Sequence, residues 1–168
     1  MTESLGVVCG NATETQAVAG AIAPLLEPGD VILLDGDLGA GKTTFTQGLA
    51  RALGVTEVVT SPTFILTRIY PTTSGFDLVH VDVYRLERLS EVVDLALPEL
   101  LDEGAVAVIE WGQRAVPALA PDFLQVRFAL LDDEGERQLS FGTVGPRWLA
   151  RRADLAAVLP RPARSGPP

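Results

Sequence analysis

Gly36, Asp37, Leu38, Gly39, Ala40, Gly41, Lys42 and Thr43 fit the pattern G-x-x-x-x-G-K-[ST]. The chemistry served by that spacing is the cradling of a polyphosphate. Glycines let the backbone curl so that successive N–H groups point inward. A helix that starts where the loop ends adds its positive dipole end. Lys42 would set an ammonium on the β and γ phosphates, and Thr43 would offer its hydroxyl to Mg²⁺. Asp37 through Gly41, with Lys42, Thr43 and Thr44, are the expected lining of a nucleotide site. Of thirteen basic residues, Lys42 is the only lysine, so the chain spells lysine only at the slot where the motif requires it. The alternative is a glycine-rich turn that merely caps a helix.

Further residues of the right type lie downstream. In the stretch from His80 to Arg85, strict alternation places His80, Asp82 and Tyr84 on one strand face and Val79, Val81 and Val83 on the other. Asp82 is the candidate for activating or orienting an attacking water, or for holding Mg²⁺ through water. His80 by itself reads as a structural hydrogen-bonder. Five apolar residues, Ala105 to Ile109, end in Glu110 and Trp111, the form of a buried parallel strand that delivers a carboxylate to the sheet edge. That is the Walker B arrangement, with glutamate where many relatives have aspartate. Mg²⁺ needs one or two carboxylates beside phosphate oxygens and water, so Thr43 and Glu110 suffice as direct ligands; the alternative for Glu110 is a strand-end acid satisfied by solvent. Ser61 and Thr63 flank Pro62 on a loop after the phosphate-loop helix, either as a nucleotide-sensing switch or as an ordinary hydroxyl turn.

The elements that must position these groups are legible around them. Val31 to Leu34 is a short buried strand, and Phe45, Leu49 and Leu53 mark one face of the following helix, which Gly54 ends. Asn11 and Glu14 open an earlier helix as cap and capping-box acid. It runs to Leu25, with Thr13 and Thr15 expected as exposed helical threonines. Ile65 to Tyr70 and Leu78 to Val83 pair as a hairpin across a Pro/Thr/Ser/Gly turn. Ser90 to Leu101 is a short, imperfect helical region containing Pro98. Phe123 to Leu131 and Arg137 to Phe141 are two strands about a turn at Asp132 to Gly135, and Pro146 opens a last helix to Leu159. The expected fold is α/β, of the P-loop NTPase type. It is one small domain over 1–159 with a mostly parallel central sheet, flanking helices and an antiparallel hairpin, followed by a disordered tail over 160–168.

Composition narrows the setting. The chain of 168 residues is 47% hydrophobic and 21% charged, with no apolar run of membrane-spanning length. Its N-terminus lacks a basic region and carries Glu3, unlike a secretory signal. Cys9, the single cysteine, reads as a small buried filler in a protein of the reducing cytoplasm. A net charge of −9 argues against gripping nucleic acid over a broad face. From Pro146 onward the segment is +4, leaving −13 for the rest. An exposed helix with a proline-rich end is expected there, the alternative being a tail that touches nucleic acid carried by a partner.

GDLGAGKTT at 36–44, SPTF at 61–64, HVDVYRL at 80–86 and VIEW at 108–111 together resemble the TsaE (formerly YjeE) family, from about Thr15 to Phe141. That is the small ATPase family of bacterial tRNA threonylcarbamoyladenosine synthesis. The resemblance implies a P-loop fold, ATP or ADP with Mg²⁺, and assembly with TsaB and TsaD, through which tRNA is reached indirectly. It implies that Thr43 and Glu110 bind Mg²⁺, that Ser61 to Thr63 form the switch, and that Asp82 is the catalytic carboxylate. It also implies that Trp111, Thr15 and Arg137 lie by the nucleotide. Arg85 and Arg114 are candidates to reach the γ-phosphate, though ordinary surface arginine suits both. The expected activity is ATP hydrolysis, weak alone and stimulated by partners, with Lys42, Asp82 and Glu110 as its machinery. Two other readings are a small-molecule P-loop kinase, which should carry an arginine-rich lid, and a non-catalytic nucleotide-gated adaptor.

Overall fold

The computed structural model describes residues 5–62, 67–84, 91, 96–111, 113, 120–131 and 135–161. In chain order the elements are β1 (Leu5–Cys9), α1 (Ala12–Ile22), a 3₁₀ turn (Ala23–Leu25), β2 (Val31–Asp35), α2 (Lys42–Ala52), β3 (Thr67–Tyr70), β4 (Leu78–Asp82), α3 (Leu97–Asp102), β5 (Val106–Glu110), β6 (Phe123–Leu130), β7 (Arg137–Val144), α4 (Pro146–Ala150) and α5 (Arg152–Val158). The strands form one seven-stranded sheet in the order β1-β7-β6-β2-β5-β4-β3. The middle strands β6, β2, β5 and β4 run parallel, while β7 and β1 on one side and β3 on the other join antiparallel.

Hydrophobic patterning explains the layers. β2 is apolar at every position before Asp35 because both its faces are covered. Ile32 and Leu34 pack with α1, α2 and the C-terminal helices through Val18, Ile22, Phe45, Leu49, Trp148 and Leu155. Val31 and Leu33 pack on the opposite face with Val79, Val81, Ile109 and Leu97 of α3. The alternation read for β4 holds: its valines point into the α3 layer, and His80 and Asp82 point to the α2 side.

α1 starts as its cap predicts. Asn11 accepts from the Glu14 N–H at 2.9 Å, and the Glu14 carboxylate accepts from the Gly10 N–H at 2.6 Å. Gly54, at φ +83, follows α2 and lets the Val55 N–H reach the Ala50 carbonyl.

Four features differ from the sequence reading. β1 was not anticipated; it is short, and among the described residues its one strand partner is the distant β7. Thr15 is fully buried, not exposed, whereas Thr13 is exposed as expected. β7 extends three residues beyond Phe141, through Val144. The last helix, largely exposed as expected, is broken into α4 and α5 at Arg151 and is anchored by the buried Trp148 and Leu155. Arg151 forks onto Asp30 at 2.6 and 2.8 Å and stacks its guanidinium 4.0 Å from the centroid of the buried Trp148 ring. Arg147 also reaches Asp30, so two of the segment's five arginines are paired within the fold. Residues 132–134 of the β6–β7 turn, most of 90–96 and the tail from 162 lie outside the described residues.

α1 crosses α2 at glycines, and the two crossings differ. A Cβ on Gly48 would lie 2.4 Å from the Gln16 carbonyl oxygen, but one on Gly20 would sit 3.6 Å from Ala52 Cβ. Gly48→Ala is expected to cost about 1–3 kcal/mol through overpacking. Gly20→Ala should add roughly 0.5–1 kcal/mol of helix propensity. Thermal or urea denaturation of the two variants checks the opposite signs.

Candidate functional site

The loop after β2 turns at the C-terminal edge of the parallel strands, where β4 and β5 also end. Gly36 fits there because a Cβ would meet Phe128 Cβ at 2.9 Å. Gly41 adopts φ +105 as the residue before α2, and a Cβ on it would lie 2.6 Å from the Arg137 guanidinium. The first N–H groups of α2 have no acceptor within the helix, so the loop presents donors and a positive dipole end.

Lys42 is the first helical residue and is only 6% exposed. Its ammonium donates to the carbonyls of Gly36 and Asp37, the latter at 3.1 Å, and lies 4.1 Å from the Trp111 ring centroid. Burial lowers its pKa, against the opposing pull of Glu110, Asp82, Asp37 and Asp35. Trp111 reaches this position by adopting φ 63, a left-handed conformation unusual for a bulky residue and of the kind found at functional sites. Its ring also packs on Tyr84, with centroids 4.9 Å apart.

Two carboxylates complete the edge. Asp82 and Glu110 are register partners on β4 and β5, and both are buried. The Asp82 carboxylate accepts from the Tyr84 N–H at 2.9 Å. Burial raises its pKa; the Tyr84 N–H opposes the rise, the neighbouring Glu110 adds to it, and His80 and Lys42 oppose it. Glu110 Oε2 lies 3.0 Å from Nε2 of His80.

These groups border one cleft of about 400 Å³, a size suited to a nucleotide. Its floor is the loop from Leu38 to Gly41 with Lys42, Thr43 and Thr44, and its far wall is Asp82, Glu110 and Trp111. Ser61, Ala12 and Arg137 also line it. The buried Nε of Arg137 has no hydrogen-bond partner among the described residues. Thr15 and the Asp37 side chain do not line the cleft. The Thr15 hydroxyl donates to the Asn11 carbonyl at 3.3 Å, and Asp37 contributes its carbonyl to Lys42 and to the Ala40 N–H. Ala12, one turn before Thr15, reaches the cleft and was not singled out from sequence, since alanine carries no chemical signal. Thr63, Arg85 and Arg114 lie outside the described residues. Among the described residues, no group of three or more His, Cys, Asp or Glu side chains could hold a metal unaided. The hard oxygens of Thr43 and Glu110 fit Mg²⁺ when phosphate oxygens and water supply its remaining ligands.

Known proteins match both chain and fold. A family model described as threonylcarbamoyl adenosine biosynthesis protein TsaE matches residues 9–139. Relatives described as tRNA threonylcarbamoyladenosine biosynthesis protein TsaE occur in Bacillus subtilis, 43% identical over 82% of this chain and 85% of the relative, and in Streptomyces coelicolor, 46% identical over 82% and 94%. The crystal structure of Bacillus subtilis YdiB superposes with a TM-score of 0.77 at 34% identity, covering 94% of this chain and 97% of that one.

The raised Asp82 pKa has a definite stability sign. The folded state holds that proton more tightly than the unfolded chain, so stability falls as pH rises from the ordinary value of 3.8 through the raised one. Asp82→Asn keeps the acceptor for the Tyr84 N–H and removes the ionisation. In nucleotide-free protein it should melt higher than wild type at neutral pH, with the gap closing on acidification. Thermal melts across pH 4–8 read this; a gap independent of pH would contradict it.

Proposed function

The chain belongs to the TsaE family, and from that premise we propose that it is a Mg²⁺-dependent ATP hydrolase serving the formation of tRNA threonylcarbamoyladenosine. Its hydrolysis would reset a complex with TsaB and TsaD in the cytoplasm. The observation that carries this reading is the convergence of Lys42, Thr43, Asp82 and Glu110 on one cleft at the edge of parallel strands.

Each residue has a derivable task. The N–H groups at the start of α2 and the Lys42 ammonium bind the phosphates and stabilise charge that builds on them. For that, Lys42 exchanges its carbonyl acceptors for phosphate oxygens. Thr43 and Glu110 hold Mg²⁺, which when bound neutralises charge on the phosphate oxygens. Asp82 orients the attacking water and takes up its proton, a role suited to a carboxyl whose pKa lies above its ordinary value. Arg137 and Ala12 also line the cleft, where they would contact the nucleotide. Arg137 is the only arginine lining the cleft among the described residues. A kinase should carry an arginine-rich lid, whereas the arginines here are scattered along an acidic chain.

Turnover of the isolated protein is expected at about 10⁻⁴ to 10⁻² per second, the range of phosphate-loop enzymes without a partner-supplied stimulus. Addition of TsaB and TsaD should raise it at least about tenfold. Asp82→Asn should lower it by roughly 10²-fold while nucleotide binding persists. Phosphate release to water, measured alone and with the partners, checks this. Phosphate appearing on a small acceptor, or rapid turnover indifferent to the partners, would refute it.

A further inference from the structure

We propose that His80 is a positioning residue for Glu110, holding one carboxylate oxygen so that the other is presented to the metal. The proposal rests on the reading of Glu110 as a Mg²⁺ ligand and goes beyond it by assigning the group that sets its orientation. His80 is fully buried, and its Nε2 lies 3.0 Å from Glu110 Oε2. Its other nitrogen, Nδ1, is buried with no hydrogen-bond partner among the described residues.

Those two facts select the state of the ring. A neutral imidazole carries one N–H. With the proton on Nε2, the ring donates to the carboxylate and leaves only a lone pair unpaired at Nδ1. With it on Nδ1, a buried donor is stranded and a nitrogen lone pair faces a carboxylate oxygen. Stranding a buried donor is the costlier arrangement. The ring therefore carries a proton on Nε2, donating to Oε2 and leaving Oε1 free of the histidine.

The register makes the arrangement rigid. His80 pairs with Val108 and Asp82 with Glu110, so the histidine sits one side-chain step behind the carboxylate it holds. One strand, β4, thus delivers both Asp82 and the donor that orients Glu110. Hydrogen bonds of this kind to a ligating carboxylate typically set metal affinity by 10–100-fold.

The test uses the whole protein and a non-hydrolysable ATP analogue, titrated calorimetrically with Mg²⁺ and with EDTA. Wild type should bind more tightly with Mg²⁺. His80→Leu should lose about tenfold or more of that gain while its affinity in EDTA is unchanged. His80→Gln, which can place an amide N–H near the Nε2 position, should retain the gain. If His80→Leu keeps the full gain, the positioning role is overturned. If wild type shows no gain, the metal reading itself falls and takes this role with it. A second measurement needs no variant. His80 is the only histidine, so nitrogen NMR of the metal-free protein reports its tautomer directly. An Nε2–H ring supports the assignment, and an Nδ1–H ring overturns it.

Discussion

A buried ammonium answered only by neutral groups is the constraint on which the rest of the site depends. Lys42 takes part in no ion pair among the described residues. Its partners are two carbonyls of its own loop and the face of Trp111. Removing a charge from water costs several kcal/mol unless it is paired, and such partners offset that only in part. The lysine is thus held where an anion would relieve it most. Burial lowers its pKa, and the nearby Glu110 and Asp82 oppose that lowering from a distance. The strained backbone of Trp111 belongs to the same account, because its ring is the third partner of the ammonium.

Parallel pairing of β2, β5 and β4 converts this local feature into a site. Three strands that point the same way must end at the same edge, so the loop after β2, Glu110 and Asp82 meet there without any further device. The alternation of side chains then sorts the chemistry from the packing. Val79, Val81, Ala107 and Ile109 fill the layer against α3, while His80, Asp82 and Glu110 face α2 and its phosphate loop. Like charges at adjacent positions are costly, and the His80–Glu110 contact and the Tyr84 N–H on Asp82 divide the two carboxylates between different partners. Each acid is thereby held in its own place.

What could be read from the sequence was what is decided locally. The loop was legible because glycine spacing, lysine and threonine encode a backbone shape directly, and the strand and helix beside it carry their own periodicities. The Asn11 cap was legible for the same reason. β4 was read with the correct faces because its valines alternate with polar residues. The features that escaped depend on partners far along the chain. β1 lacks enough residues to announce itself and exists by pairing with β7. Thr15 follows a polar pattern yet is buried, because α1 packs against α2 and β1. The break at Arg151 answers to Asp30, 121 residues earlier. The contact between His80 and Glu110 spans 30 residues and needs the β4–β5 register to be seen. Side-chain periodicity indicates a face, but only register indicates a neighbour.

The central claim is that the loop ending in Lys42 exists to bind a magnesium-bound triphosphate. Isothermal calorimetry on folded wild-type protein and on Lys42→Ala tests it most directly, with ATP and Mg²⁺ as the titrant. Wild type should bind one nucleotide per chain, and Lys42→Ala should weaken binding at least about tenfold, in keeping with the loss of a desolvated charge contact. No heat from wild type, or equal affinity in the variant, would contradict the account.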